Sequence, residues 1–251
     1  MWTSPASDAG LRFDPIAGPT YVAHIARRSD VCLADRAAML DLLGAYFDGV
    51  SAPRFNEDLD EKDWVILLRE RASGSLAGFT TLMRFTCEAE PGVVALFSGD
   101  TIVRREAWNE LLLPRAWASL AFGVASTELS AEVYWFLICS GYRTYRFLPV
   151  FFRHFYPRFD TPTPPRERGV YDRLAAAKFG SRYDPEAGVV VPEWPAPLRG
   201  GCDDAAARSD PHVSFFLASN PGHREGHELV CLARLSPDNL TAAGRRMSRP
   251  R

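Results

Sequence analysis

The chain has 251 residues, 47% hydrophobic and 24% charged, so it is long enough and apolar enough to bury a large core. A formal net charge of −2 excludes a global field that would select nucleic acid or an anionic membrane as the partner. No apolar run reaches the roughly 18 residues that a membrane-spanning helix needs, so no membrane span is predicted.

The five cysteines are widely spaced, at Cys32, Cys87, Cys139, Cys202 and Cys231. Their odd number fits reduced thiols better than a disulfide framework, and no pair has the spacing of zinc ligands. The first ten residues lack the basic and apolar regions of a signal peptide. These features predict a soluble cytoplasmic protein without a metal site, and they leave the oligomeric state open.

The first sixty residues are predicted to contain one regular helix. Several prolines and glycines in residues 1–20 favour an irregular arm, followed by an edge strand over Thr20–Ile25. Apolar residues at helical spacing predict an amphipathic helix over Leu33–Phe47. The acidic run Glu57–Asp63 is typical of a solvated loop, with a cation or basic-partner site as the alternative.

Three strands are predicted next, over Trp64–Arg69, Leu76–Phe85 and Val93–Val103. Short turns join them, so the first two form an antiparallel hairpin and the third continues the meander. A helical pattern over Leu111–Phe122 follows, and then the continuous apolar run Tyr134–Cys139, which is typical of a buried strand. Because a helix separates the third strand from the fourth, these two strands are predicted to be parallel.

The last hundred residues are predicted to be less regular. A short aromatic helix begins near Pro149 and ends at Tyr156, because Pro157 stops it. The remaining elements are a helix over Val170–Phe179, irregular coil over residues 181–210, a helix over His212–Ser219, a strand over Glu228–Leu235 and a frayed tail over the last ten residues. We expect a core with an N-terminal arm over residues 1–160 and a C-terminal extension over residues 161–251 that packs on it.

Familiar catalytic motifs are absent: the chain has no GxSxG elbow, HExxH motif, Walker loop or GxGxxG loop. His223 and His227 have the spacing of a helical metal pair, but Gly222 and Gly226 argue against a helix and favour exposed loop histidines. His154 is interpreted as a partly exposed packing residue rather than a base.

The order of elements and two stretches resemble the Gcn5-related N-acetyltransferase superfamily. The segment WVILLRERASGSLAGFTTLMRF is similar to the family's second and third strands, and GDTIVRREAWNELLLPRAWASL to its fourth strand, loop and helix. VYWFLIC resembles its fifth strand and PVFFRHFYPRF its terminal helix. The resemblance covers about Asp30–Phe159. It implies an α+β fold, with a mixed, mostly antiparallel sheet flanked by helices and a cleft for a thioester donor where the fourth and fifth strands splay.

The chain departs from the family at its glycine-rich loop, whose backbone N–H groups hold a diphosphate. No glycine lies between Arg104 and Glu110, and the loop carries two carboxylates, those of Glu106 and Glu110. Such a loop is expected to bind a diphosphate poorly unless Arg104 and Arg105 compensate. It resembles the acyl-homoserine-lactone synthase and N-acyl amino acid synthase branches, which can take acyl groups from a carrier protein. The resemblance thus implies no tightly bound cofactor, with acyl-CoA or a phosphopantetheinyl carrier as co-substrate.

The activity that the resemblance implies is N-acyl transfer, by direct attack of an amine on the thioester. Tyr156 would protonate the leaving thiolate, and Asp100 or Glu106 would orient or deprotonate the amine. Backbone amides near Val103 would stabilise the oxyanion. A tyrosine that merely closes a helix and two ordinary surface carboxylates are the structural alternatives.

Seven residues are expected to contact the donor by the same resemblance: Val103, Arg104, Arg105, Trp108, Asn109, Arg143 and Arg146. Arg143, Arg146 and Arg153 would pair with a phosphopantetheine phosphate or a carrier's acidic helix, unless they form a solvated face. The implied partners are a small-molecule amine and, as one donor, an acyl carrier protein, with no nucleic acid. Two other functions stay open: a catalytically silent protein that binds an acyl ligand or a partner, and a relative with other thioester chemistry.

Overall fold

The computed structural model describes residues 11–199 and 209–248, together with the backbone of residues 2 and 3. Within this part of the chain, ten strands form one sheet. The strands are β1 (Trp2–Thr3), β2 (Ile16–Ala17), β3 (Tyr21–Arg27), β4 (Trp64–Glu70), β5 (Leu76–Cys87), β6 (Val93–Val103), β7 (Glu132–Cys139), β8 (Tyr183–Asp184), β9 (Val189–Val190) and β10 (Glu228–Arg234). The helices are α1 (Leu33–Tyr46), α2 (Ala52–Asp60), α3 (Leu112–Thr127), α4 (Tyr142–Tyr145), α5 (Phe147–Phe151), α6 (Pro165–Phe179), α7 (Pro211–Ser219) and α8 (Ala242–Met247).

The strand order is β2-β3-β4-β5-β6-β7-β10-β9-β8, with β1 paired to β5. All neighbouring strands are antiparallel except β6 and β7, which are parallel because α3 carries the chain from the end of one back to the start of the other. This mixed, mostly antiparallel sheet flanked by helices is the fold class that the sequence predicts. The fold implied by the resemblance to the Gcn5-related N-acetyltransferase superfamily is thereby confirmed.

Helices cover both faces of the sheet, which explains why its central strands are continuous apolar runs. On one face α3 packs with Ala116 and Leu120 against the strands. On the other face α6 packs with Leu174, and α1 with Met39 and Leu42. Within the described residues, no helix is long and apolar enough to cross a membrane.

The predicted acidic loop Glu57–Asp63 is wrong. Residues up to Asp60 belong to α2, which begins just before Pro53 and buries Phe55 and Leu59. These two apolar residues stand four apart and so face the same side of a helix. Glu57 and Asp60 are exposed and Asp58 is partly buried, so a run of charge concealed an amphipathic helix.

The predicted aromatic helix from Pro149 to Tyr156 is also wrong in its second half. α5 ends at Phe151, Phe152 is extended, and the chain bends at Arg153 and His154. The backbone N–H of Arg153 donates to the carbonyl oxygen of Asn239 over 2.8 Å. A residue of the C-terminal segment thus accepts the hydrogen bond that a carbonyl of the preceding turn would accept in a helix. Such long-range pairing leaves no local trace in the sequence.

The C-terminal third joins the main sheet through three strands. The predicted coil over residues 181–210 contains the short hairpin of β8 and β9, while residues 200–208 lie outside the described residues. The predicted frayed tail contains α8. Residues 249–251 of this tail also lie outside the described residues. A boundary at residue 160 stays a prediction, but β10 pairs along the length of β7.

Candidate active site

The parallel strands β6 and β7 separate at one end of the sheet. They stay paired up to Ser98 opposite Leu137, and no strand of the described ranges pairs on that side with β6 where it continues to Val103. The register with β5 also shifts between Thr80 and Leu82, which is the mark of a β-bulge in β6. Because a bulge bends its strand, the opening between β6 and β7 follows from it.

Gly99 lies in this bulge, where any larger residue would collide with its neighbours. A Cβ atom there would lie 2.7 Å from Thr81 Oγ1 and 2.8 Å from Lys62 Cε. The absence of a side chain therefore lets the buried Lys62 rest directly against the strand.

An apolar cavity of about 70 Å³ occupies the opening on the side covered by α3. Its walls include Leu113, Trp117, Trp135, Phe147, Phe151 and Met247. The polar side chains among the lining residues are hydroxyls, from Thr80, Ser98, Thr101 and Thr144. A cavity of this composition suits a hydrocarbon chain that ends in a small polar group.

Ser98 is the most constrained of these hydroxyls. Its oxygen accepts the indole N–H of Trp135 over 2.8 Å and that of Trp117 over 3.1 Å. The two indole rings lie against each other, with centroids 4.5 Å apart. Thr80 and Thr101, by contrast, bond to each other over 2.7 Å.

Carboxylates gather on the opposite side of the same opening. Glu228 and Ser140 alternate with residues of β10 and β7 that face α3, so they point to the other side of the sheet. Ser140 donates to Glu228 over 3.1 Å. Asp100 follows the bulge and interacts electrostatically with Asp58 and Lys62 of the α2 region.

Both Asp100 and Glu228 hold their protons more tightly than ordinary carboxyl groups. Burial raises the pKa of Asp100 to about 7, and the charge of Asp58 adds to the shift while Lys62 opposes it. Burial also raises the pKa of Glu228 to about 7, with the Ser140 hydrogen bond opposing and Asp100 adding. At neutral pH these carboxyls can each release or take up a proton.

Lys62 is the cation of this group. Its ammonium lies 2.6 Å from Asp58 Oδ1 and 2.9 Å from the Asp58 carbonyl oxygen. The side chain of Lys62 is fully buried, whereas that of Asp58 is 45% exposed. The opening between β6 and β7 therefore has an apolar side and a charged side.

The loop after β6 closes on itself. Trp108 donates its indole N–H to the carbonyl oxygen of Val103 over 2.8 Å. Arg104 turns back to β5, where its Nε donates to the Leu76 carbonyl over 3.0 Å. The carbonyl oxygen of Val103 and the Nε of Arg104 thus already have partners within the protein.

Ala107 of that loop is buried, but other residues of the loop are exposed. Arg105, Glu106 and Asn109 all have exposed side chains. The structure therefore places Glu106 away from the opening and leaves Asp100 as the carboxylate of the predicted pair that lies beside it.

The N-terminus of α3 does not fit a diphosphate. Glu110 accepts the backbone N–H of Leu111 over 3.0 Å, and Pro114 has no N–H to offer. The Glu110 carboxylate already lies at this helix N-terminus, and its negative charge would repel a second anion there.

Arg143 lies with Trp108 beside the cavity. Its guanidinium carbon is 4.1 Å from the centroid of the Trp108 ring, and that of Arg105 is 5.7 Å away. The next residue after Arg143, Thr144, lines the cavity. Arg146 pairs with Asp210 at 3.2 Å. The predicted donor residues Arg105, Trp108, Arg143 are therefore brought together, whereas Arg146 has an acidic partner of its own.

The expected position of Tyr156 in the cleft is wrong. Its backbone exchanges two hydrogen bonds of 2.8 Å with Leu232 of β10, whose other edge pairs with β7. Tyr156 lines a separate pocket with His154 and Glu167. Because the whole width of β10 lies between Tyr156 and β7, this phenol cannot reach a thioester in the opening.

Several residues of the site escaped the sequence analysis. Ser98 is a lone hydroxyl in an apolar run, and Lys62 is one of only two lysines in the chain, which are the signals that were available. Glu228 gave no signal, because nothing in the sequence indicates that β10 pairs with β7. Among the described residues, no group of three or more His, Cys, Asp or Glu residues could hold a metal ion.

No protein-family model and no curated protein matches the chain. Similar solved structures include N-acetylglutamate synthase from Neisseria gonorrhoeae complexed with coenzyme A and N-acetyl-glutamate, at 12% identity over 85% of this chain and 35% of that one, with a TM-score of 0.40. A Mycobacterium tuberculosis protein in complex with CoA is 11% identical over 85% of this chain and 99% of its own, with a TM-score of 0.41.

Glucosamine-6-phosphate N-acetyltransferase from Arabidopsis thaliana is 16% identical over 45% of this chain and 79% of its own, with a TM-score of 0.34. At TM-scores of this size, the likeness carries no inference about the site. The description of the fold rests on the strand order and the parallel pair of β6 and β7.

Proposed function

We propose, from the premise that the chain has the fold of the Gcn5-related N-acetyltransferase superfamily, that it is an acyltransferase acting on a thioester donor and an amine. The observation that carries this proposal is the opening between β6 and β7, which is apolar on one side and carboxylate-lined on the other. An acyl chain and a cationic amine need these two opposite environments. They would meet at the gap between the strands.

The donor is proposed to lie with its acyl chain in the cavity under α3. Its thioester group then stands beside the unpaired edge of β6 that begins after Ser98. An exposed strand edge offers backbone N–H and C=O groups, which match the amide groups of a pantetheine arm.

The acceptor is proposed to enter from the side of Asp100 and Glu228. The cationic amine first gives one proton to the Asp100 carboxylate, and its neutral nitrogen then attacks the thioester carbon. A C–N bond forms, the C–S bond breaks, and the leaving thiolate takes up the second proton that the nitrogen loses. Asp100 takes up the first proton, which a carboxylate with a pKa of about 7 does well at neutral pH. No covalent enzyme intermediate is needed.

The carrier of the thioester is proposed to be an acyl carrier protein in preference to coenzyme A. Glu110 at the start of α3 disfavours the diphosphate of coenzyme A, as argued above. Exposed arginines near the cavity, among them Arg105, Arg143 and Arg245, suit the acidic surface of such a carrier. The proposal specifies neither the length of the acyl chain nor the identity of the amine.

The test is to follow thiol release from acyl-CoA, acyl carrier protein and acyl-N-acetylcysteamine thioesters, each with a panel of amines. Wild-type protein is expected to release thiol only when both substrates are present. Asp100→Asn should lose most of this activity, whereas Asp48→Asn, at an exposed carboxylate paired with Arg199, should keep it.

Failure to turn over any donor with any amine would contradict the proposed reaction. Tight binding of an acyl thioester without turnover would instead support the alternative of a silent acyl-binding protein.

A further inference from the structure

Ser98 has a hydroxyl hydrogen for which the described part of the chain supplies no acceptor. A serine oxygen has two lone pairs and one hydrogen. Both lone pairs are occupied, by the indole N–H groups of Trp135 at 2.8 Å and Trp117 at 3.1 Å. Among the described residues none accepts the remaining O–H hydrogen, although Ser98 is only 5% exposed.

The two indoles also determine where that hydrogen points. With two donors on the oxygen, the tetrahedral arrangement leaves a single direction for the O–H bond, away from both rings. Trp117 comes from α3 and Trp135 from β7, and all three residues line the cavity. A buried donor without an acceptor costs free energy, so an arrangement that forces it is explained best by an acceptor that arrives with a ligand.

The location of Ser98 narrows the identity of that acceptor. Ser98 is the last residue of β6 paired with β7, and the strands part immediately beyond it. The cavity has three other hydroxyls: those of Thr80 and Thr101 share one hydrogen bond of 2.7 Å, and that of Thr144 lies on α4. Ser98 differs from them because two indoles fix the direction of its O–H bond, at the point where the cavity opens to the carboxylate side.

We propose that Ser98 donates a hydrogen bond to the carbonyl oxygen of the thioester, held in this orientation by Trp117 and Trp135. This inference rests on the proposed function for the identity of the ligand. As the amine adds, negative charge develops on that oxygen, and the Ser98 hydrogen bond strengthens. The two indole N–H groups increase this effect, because an oxygen that accepts two hydrogen bonds becomes a better donor. No proton is transferred from Ser98.

The experiment compares two probes of equal length: an S-acyl-N-acetylcysteamine thioester and the corresponding S-alkyl thioether, which lacks the carbonyl. Their dissociation constants are measured by calorimetry for chains of two to eight carbons. Wild-type protein should bind the thioester about tenfold more tightly than the thioether, as one good hydrogen bond allows. Ser98→Ala should bring this ratio close to one.

Two variants accompany this measurement. Ser98→Cys keeps the size of the side chain with a poor donor, so it should lower the ratio even if Ser98→Ala folds badly. Ser126→Ala, at an exposed serine near the end of α3, should keep the wild-type ratio. A residue that only supports the two tryptophans would change both affinities together and leave the ratio unchanged.

The outcomes separate this inference from the proposed function. A wild-type ratio near one, or a ratio that survives in Ser98→Ala and Ser98→Cys, overturns the assignment of Ser98. A ratio that depends on Ser98 in a protein that turns over no thioester supports the assignment and contradicts the acyltransferase. Where turnover occurs, Ser98→Ala should raise the KM for the thioester and also lower kcat, so that kcat/KM falls about a hundredfold or more.

Discussion

The ammonium of Lys62 lies 2.6 Å from the carboxylate of Asp58, yet only the lysine is fully buried. The two partners therefore differ in what they lose when the pair is broken. An unpaired Asp58 can turn to water, whereas an unpaired Lys62 stays enclosed beneath the bulge of β6.

This asymmetry predicts unequal losses of stability. Asp58→Ala should lower the free energy of unfolding by about 3 kcal/mol, because it leaves a buried charge without its partner. Lys62→Met should cost about 1 kcal/mol or less, because the exposed carboxylate is rehydrated. Urea unfolding of both variants at pH 7 measures the difference, and equal losses would show that Lys62 reaches solvent.

The pKa of Asp100 predicts the pH dependence of catalysis. If Asp100 accepts the proton of the amine, kcat/KM should rise with pH up to about 7 and then level off. Asp100→Asn should lower kcat/KM by a factor of about 10² or more and remove this titration. An unchanged pH profile in the variant would assign the titration to another group, with Glu228 the first to examine.

Glu228 predicts a pH dependence of stability. Its pKa in the folded protein is raised to about 7 from an ordinary value of 4.5, so folding favours its protonated form. The stabilisation is fully present below the ordinary pKa and is lost as the pH rises through the folded pKa.

Glu228→Gln removes this titration, so its stability relative to wild type should increase between pH 5 and pH 8. Thermal unfolding across that range measures the effect. Glu225→Gln, at an exposed position in the preceding turn, is the control and should show no such trend. A constant difference between Glu228→Gln and wild type would mean that Glu228 titrates like an exposed carboxylate.

The position of Glu110 predicts that the protein prefers thioester donors without a diphosphate. Glu110→Ala frees the backbone N–H of Leu111 and removes a negative charge from the start of α3. The KM for acyl-CoA should then fall about two- to fivefold, as expected for a charge at a helix terminus. The KM for an N-acetylcysteamine thioester, which has no diphosphate, should stay the same. Equal changes for both donors would place the diphosphate elsewhere.

The lack of space around Gly99 predicts that a larger residue at this position destabilises the protein. Gly99→Ala puts a Cβ atom against Thr81 and Lys62, and should destabilise the protein by about 1–3 kcal/mol. Gly44→Ala is the matched control, because nothing lies within 4 Å of its Cβ position in α1. That substitution should stabilise the helix slightly. A harmless Gly99→Ala would mean that the bulge can shift without cost.

The central strands could be predicted because both their faces are buried, so β4, β5, β6 and β7 appear in the sequence as apolar runs between clear turns. The parallel arrangement of β6 and β7 followed from the helix between them. The non-helical course of residues 152–156 could not be predicted. Phe151, Phe152 and Phe155 have helical spacing, but the backbone there bonds to Leu232 and Asn239, which are remote in sequence.

The site could be predicted only in part for the same reason. Asp100 and the group of Trp108 with Arg143 lie on elements that the sequence identified, and the structure places them near the opening. The partnership of Ser98 with Trp117 and Trp135 depends on how three elements pack. Each of these residues is unremarkable in its own segment.

The cavity is enclosed by segments that are made at different times during synthesis. Leu240, Gly244 and Met247 form part of its wall together with Thr80 of β5, which lies much earlier in the chain. During synthesis the earlier strands and α3 can assemble first, but the chamber stays open until α8 has left the ribosome. A nascent chain would thus carry an uncovered apolar groove until α8 has been made and has packed against it.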